Sequence, residues 1–236
     1  MFENPNSPET INLPEIDANK LTSVKKVIEF LDKHLPSFPI VFKKRTSSKT
    51  IEGEDLISQE LCDYLQFLTY KDGIFMFQFQ RRSFESSHSS DFAVIAVENY
   101  NLYQLSHAFF VIEAKRLPTP GKDKKNISRE KEYVQGNSGG IQRYKKGNHG
   151  TGLLESAMIG YIQDDHNCLH WQQEINKWIN DLISNNTDVE ICWDSSDLLN
   201  EVSNFGKIRK YDSQNTRLIN SKKDSIKLHH YLMELA

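Results

Sequence analysis

The chain's 236 residues suffice to bury one sizeable core, and 38% hydrophobic residues with 13 Phe and 9 Tyr exclude a disordered chain. A formal net charge of -3 excludes a globally basic nucleic-acid binder and leaves that role to a locally basic face. Three scattered cysteines (Cys62, Cys168, Cys192) fit free thiols in a reducing compartment, Met1 to Leu13 lacks the basic start and apolar run of a signal peptide, and no segment reaches the roughly 18 consecutive apolar residues of a membrane span, so a soluble cytoplasmic protein without a membrane partner is expected.

In chain order, Val24, Val27, Ile28, Leu31 and Leu35 recur at helical spacing, with Pro36 as a stop. A polar stretch from Lys43 to Lys49 follows. Ile57, Leu61, Leu65 and Leu68 then form the stripe of a second helix, along which Glu54 projects. Phe75, Phe77 and Phe79 alternate with polar or flexible residues, the period of a strand covered on one face. Asp91–Val97 and Ala108–Lys115 are short apolar runs that predict neighbouring buried strands.

The stretch from Pro118 to Glu132 has no apolar period and reads as a long exposed loop, continued by Gly136, Gly139 and Gly140. Ile141 to Lys146 predicts a short helix, Ala157 to Ile162 a buried strand, and Leu169 to Ile183 a longer amphipathic helix. Three more strands are expected around Val189–Trp193, Gly206–Tyr211 and Ile226–Leu235.

Charges at the ends of the two apolar runs carry the chemistry. Side chains two apart on a strand share a face, so Glu113 and Lys115 stand together while Ala114 points into packing. If the two strands pair antiparallel, Asp91 falls near Glu113. Convergent carboxylates whose shell water completes suit Mg²⁺ or Mn²⁺, which would activate water for phosphodiester hydrolysis, with Lys115 stabilising the developing charge or orienting that water. The same residues also permit a plain reading, in which Asp91 caps a strand, Glu113 and Lys115 form an ion pair, and no metal binds.

This order of elements resembles the PD-(D/E)XK, or restriction-endonuclease-like, superfamily over roughly Glu52 to Gln163. Asp91 opens the central strand, Glu113-Ala114-Lys115 supplies the ExK element, and Gly140-Ile141-Gln142-Arg143-Tyr144 opens the next helix. Ser90 stands where the motif has its nominal Pro. The resemblance implies an α/β fold with a central mixed sheet flanked by helices, an N-terminal helical extension over residues 1–46, and a nuclease-like domain over 47–236. It implies a Mg²⁺-dependent endonuclease acting on nucleic acid, most simply DNA, with Asp91, Glu113 and Glu54 as metal ligands and Gln142 lining the site.

The family likeness further implies an antiviral-defence effector working with a helicase or sensor protein, and a homodimer for double-strand cutting. A catalytically silent nuclease-fold subunit that binds nucleic acid or docks a partner is the alternative. Glu54 near a helix start also fits a carboxylate that satisfies exposed N–H groups, and Gln142 a solvent-facing first-turn residue. Arg116, Lys122, Lys124 and Lys125 in the basic loop, and Arg143, Lys145 and Lys146 on the short helix, are expected phosphate contacts, although solvated loops and helix turns have the same composition. His166, Cys168 and His170 lack a second ligand pair at zinc spacing, and His229 and His230 should face opposite sides of a strand.

Overall fold

A computed structural model describes residues 13–45, 52–70, 75–82, 89–96, 108–119, 121, 129–136, 139–185, 191–219 and 222–236. Helix α1 (Leu13–His34) runs through a 3-10 turn at Leu35–Ser37, where Pro36 sits at the helical start, into α2 (Phe38–Arg45). The proline therefore ends α1 as expected but redirects the chain into another helix. Helix α3 (Glu54–Thr69) leads to strands β1 (Phe75–Arg82), β2 (Ser89–Ala96) and β3 (Phe110–Leu117). Helix α4 (Gly140–Lys145), strand β4 (Glu155–Ile162) and helix α5 (Cys168–Ser184) precede β5 (Asn200–Asn204), β6 (Ile208–Ile219) and β7 (Lys222–Glu234).

The architecture is α/β: a seven-stranded mixed sheet in the order β1-β2-β3-β4-β7-β6-β5, flanked by helices. β3, β4 and β7 run parallel, and the pairs on either side of them are antiparallel. Alternation along each strand divides the interior into two cores. On one face Phe75, Phe77, Phe92, Phe110, Ile112 and Ala114 meet α1, α2 and α3. On the other, Val111, Met158, Ile162, Leu228 and Leu232 meet α4 and α5.

α1 belongs to the first core. Val27 and Leu31 are fully buried, and the Phe30 ring lies 5.4 Å from Phe75 and 5.8 Å from Phe77. A polar anchor adds direction: Lys210 Nζ donates to both Asp32 carboxylate oxygens at 2.9 and 2.8 Å, and Tyr231 Oη donates to Asp32 Oδ1 at 2.7 Å.

Four sequence expectations need correction. Ile191 to Asp194 forms no strand; Ile191 and Trp193 are buried in the second core instead, where the Lys145 ammonium lies over the Trp193 ring. The strand expected at Gly206–Tyr211 is the start of a longer one that reaches Ile219, because polar side chains continue it. The stretch from Pro118 to Glu132 is not all exposed, since Thr119 and Glu132 are buried, and Tyr133 and Val134 just after it are fully buried against α4 and the sheet. Leu169 is also exposed, its expected core place on α5 being taken by Cys168.

Candidate active site

The site lies where β2 separates from β3. Backbone pairing between them covers Phe92↔Ile112, Ala93↔Val111 and Val94↔Phe110, and continuing that register sets Asp91 opposite Glu113. There a side chain takes over from the ladder: the Ala114 N–H donates to Asp91 Oδ2 at 2.7 Å. β3 remains paired to β4 on its other side, Glu113↔Met158 and Lys115↔Gly160, so one strand stays rigid while the other diverges. Ala114 packs into the first core, which turns Glu113 and Lys115 to the opposite face, beneath α4.

Glu113 is buried at 1% exposure, with two cations on one of its oxygens. Its Oε1 accepts from Arg143 Nη1 at 2.7 Å and lies 3.0 Å from Lys115 Nζ. Its Oε2 stands 3.7 Å from His149 Nδ1 and has no hydrogen-bond partner, an exposed cost for a buried oxygen unless something else meets it. Lys115 uses all its donors, on Glu113, on Glu54 Oε1 at 3.1 Å and on the Ala114 carbonyl at 2.8 Å. Glu54, from the first turn of α3, spends its other oxygen on the Arg116 N–H at 2.9 Å.

These contacts separate the carboxylates chemically. Burial pushes the Asp91 carboxyl up to about 7, with the neighbouring Glu113 charge adding to the rise and Lys115 and the Ala114 N–H opposing it. Burial would raise Glu113 too, but Lys115, His149 and Arg143 together hold it below the usual carboxylate range. Burial alone would lower Lys115, and Glu113, Glu54 and Asp91 overcome that and raise it. The cluster thus holds an ionised acid, a charged ammonium, and an acid poised near neutrality.

The structure therefore brings Asp91, Glu113, Lys115, Glu54 and Arg143 together. Gln142 does not join them: its side-chain carbonyl accepts from the Gly136 N–H at 2.8 Å, tying α4 to the preceding turn, and the α4 residue on the cluster is its neighbour Arg143. Lys145 is withdrawn from any phosphate. It is fully buried, 2.5 Å from Asp197 Oδ1, because a helix of this phase turns it toward the second core. Lys146 is exposed, and the Arg116 guanidinium donates to the Glu52 carbonyl at 3.3 Å. Lys122, Lys124 and Lys125 lie outside the described residues.

Sequence reading missed His149, whose isolated place in a Gly- and Asn-rich stretch carries no signal. In the structure its N–H bonds to the Arg143 carbonyl, and Arg217 secures the same loop through the Gly150 and Leu153 carbonyls at 2.7 and 2.8 Å. His229 and His230 do face opposite sides. His229 bridges Asp212 and Glu155, both at 2.8 Å, while His230 is enclosed between Tyr133 and Ser213.

Among the described residues, no three His, Cys, Asp or Glu side chains gather in a metal-holding group. The expected three-carboxylate set is not assembled because the Lys115 ammonium sits between Glu54 and Glu113 and occupies Glu54. Two carboxylates do fit a hard divalent cation that keeps much of its water: a cation would offset the burial that raises Asp91, and Glu113 Oε2 is buried without a donor. No family model matches the chain, nor does any curated protein or solved structure.

Proposed function

We propose that this chain is a divalent-metal-dependent nuclease with a restriction-endonuclease-like core, hydrolysing phosphodiester bonds in nucleic acid, DNA foremost. The observation that carries the reading is the juxtaposition of Asp91 with the buried Glu113 and Lys115 at the fork between β2 and β3, with Glu113 Oε2 lacking a donor. Asp91 and Glu113 would hold Mg²⁺ or Mn²⁺, which supplies an acidified water and stabilises charge on the phosphoryl oxygens. Glu54 is the positioning residue that fixes Lys115. Lys115, relieved of its bond to Glu113, has a donor for the attacking water or a non-bridging oxygen. Arg143 shows 18% of its side chain to solvent and has guanidinium donors beyond the one on Glu113, which suit a phosphate.

One feature favours the rival reading of a catalytically silent subunit that binds nucleic acid or docks a partner. Lys115 and Arg143 both occupy Glu113 Oε1, so the cluster satisfies much of its charge by itself. Incubating the full chain with supercoiled plasmid, a single-stranded DNA and a single-stranded RNA in Mg²⁺, Mn²⁺ or EDTA separates the two. Metal-dependent cutting of any of them supports the nuclease. Retained binding with no cutting in either metal supports the silent subunit. A single cluster per chain cuts one strand at a time, so duplex cleavage calls for a second copy of this chain or two successive events. A role in antiviral defence beside a helicase or sensor protein belongs to the same proposal and rests on the family resemblance alone.

A further inference from the structure

Gln80 has a left-handed backbone, φ 45°, in the middle of β1, and among the described residues it is the one non-glycine residue with positive φ. A side chain other than Gly, Asn or Asp is disfavoured there, and such positions persist where the surroundings impose them, often at sites of function. The distortion has a specific address. β1 and β2 pair from Phe75↔Ala96 to Phe79↔Phe92 and again at Arg81↔Ser90 and Arg82↔Ser89; the pair missing between is Gln80 with Asp91. The register is identical on both sides, so no residue is inserted and the kink absorbs none. Nor does it turn the chain, since β1 continues to Arg82.

The same row runs from Gln80 through Asp91 to Glu113 across three neighbouring strands, and Gln80 is exposed. Adjacent strands lie roughly 4.8 Å apart, so the kinked residue borders the carboxylate pair. The chemistry of that border is selective. A Lys or Arg would be drawn onto Asp91 and compete with a bound cation, and an acid would add a third like charge. A neutral amide donates a hydrogen bond without doing either.

Resting on the nuclease reading, we propose that Gln80 is a substrate-contact residue, its amide donating to a non-bridging phosphate oxygen of the strand held at the fork. Binding of a 5′-fluorescein single-stranded DNA to the full chain in Ca²⁺, read by anisotropy beside thermal melting, tests it with Gln80→Gly, Gln80→Ala and Gln80→Asn. Gly and Ala should each weaken binding about tenfold, the loss expected for one hydrogen bond to a charged group. Gly should melt at or above the parent, since it adopts the left-handed backbone freely. Asn, which tolerates that backbone and keeps an amide, should bind within about threefold of the parent. Gly and Ala variants that bind like the parent overturn the inference alone. Loss of binding with a lowered melting midpoint in all three makes Gln80 structural and also overturns it. A parent that binds neither this DNA, nor its duplex, nor an RNA of equal length overturns the nuclease reading together with the inference.

Discussion

Glu113 meets Lys115 and Arg143 on one carboxylate oxygen, at 3.0 and 2.7 Å, and the His149 ring stands 3.7 Å from the other. Arg143 is the cation with exposure and donors to spare, so Arg143→Ala should leave Glu113 paired to Lys115 and cost about 1–3 kcal/mol, because the bond it removes ends on a buried carboxylate. Its effect on cleavage should be large, about 10²-fold in single-turnover rate, as for loss of one preorganised donor. The juxtaposition of Asp91, Glu113 and Lys115 was legible in the sequence because strand geometry fixes which side chains share a face. Arg143 was legible as a basic residue but not as the partner of Glu113, and Gln142, one position earlier, accepts from the Gly136 N–H instead. A one-residue step on a helix turns a side chain by about 100°, and no local pattern in a six-residue helix fixes its phase.

Titration at the residue scale acts in two directions. Asp91 is raised from 3.8 to about 7 in the fold, so the native state holds a proton the unfolded chain releases. Its contribution is full below about 4 and is lost as pH rises toward 7. His230 is lowered by burial from 6.5 to about 3, so its contribution is full above about 6.5 and is lost as pH falls toward 3. Over pH 4 to 7 the two slopes oppose each other. In metal-free urea titrations the parent's two slopes largely cancel between pH 4 and 7, so Asp91→Asn should shift the slope toward rising stability and His230→Gln should shift it toward falling stability. Unchanged slopes in both variants would contradict the burial that sets these shifts.

At the scale of elements, α4 is placed by close approach. A Cβ on Gly140 would stand 2.9 Å from the Tyr133 carbonyl and closer still to the Met158 side chain. Gly140→Ala should therefore push α4 from the sheet, cost about 1–3 kcal/mol, and reduce cleavage by displacing Arg143. Melting and single-turnover cleavage together check it; a variant with unperturbed melting and cleavage would show that α4 can shift without moving Arg143. The strands that frame the site were readable because β2 and β3 are continuous apolar runs. β5 was not, because it is polar and exposed along nearly its whole length, nor was the outer part of β6, where the buried Ser213, Asn215 and Arg217 are polar. The hydrogen bonds Tyr133–His230–Ser213–Asn215 satisfy part of that interior, so burial there has no apolar period to read.

For the whole molecule, α1 and α2 complete one side of the sheet. Val27, Leu31, Leu35 and Phe38 are buried to 1% exposure or less, and burying such a side chain is worth about 1.5–3 kcal/mol. A chain starting at residue 47 should lose cooperative thermal unfolding and bind a hydrophobic dye, whereas a cooperative transition at the parent's midpoint would make α1 dispensable. Asp32→Ala, which leaves Lys210 without its carboxylate, should cost about 1–3 kcal/mol, discounted for the partial exposure of Asp32. Among the described residues, no helix is long and apolar enough to cross a membrane.

The central claim is that Asp91, Glu113 and Lys115 cut nucleic acid with a divalent ion. The most direct measurement is single-turnover cleavage of end-labelled DNA by the full chain and by its Glu113→Ala and Lys115→Ala variants in Mn²⁺, each verified as folded by circular dichroism. Cutting by the parent that EDTA stops and that each substitution reduces by 10²-fold or more is the expected result. Equal cutting by all three proteins would contradict the assignment, because the activity would then reside elsewhere.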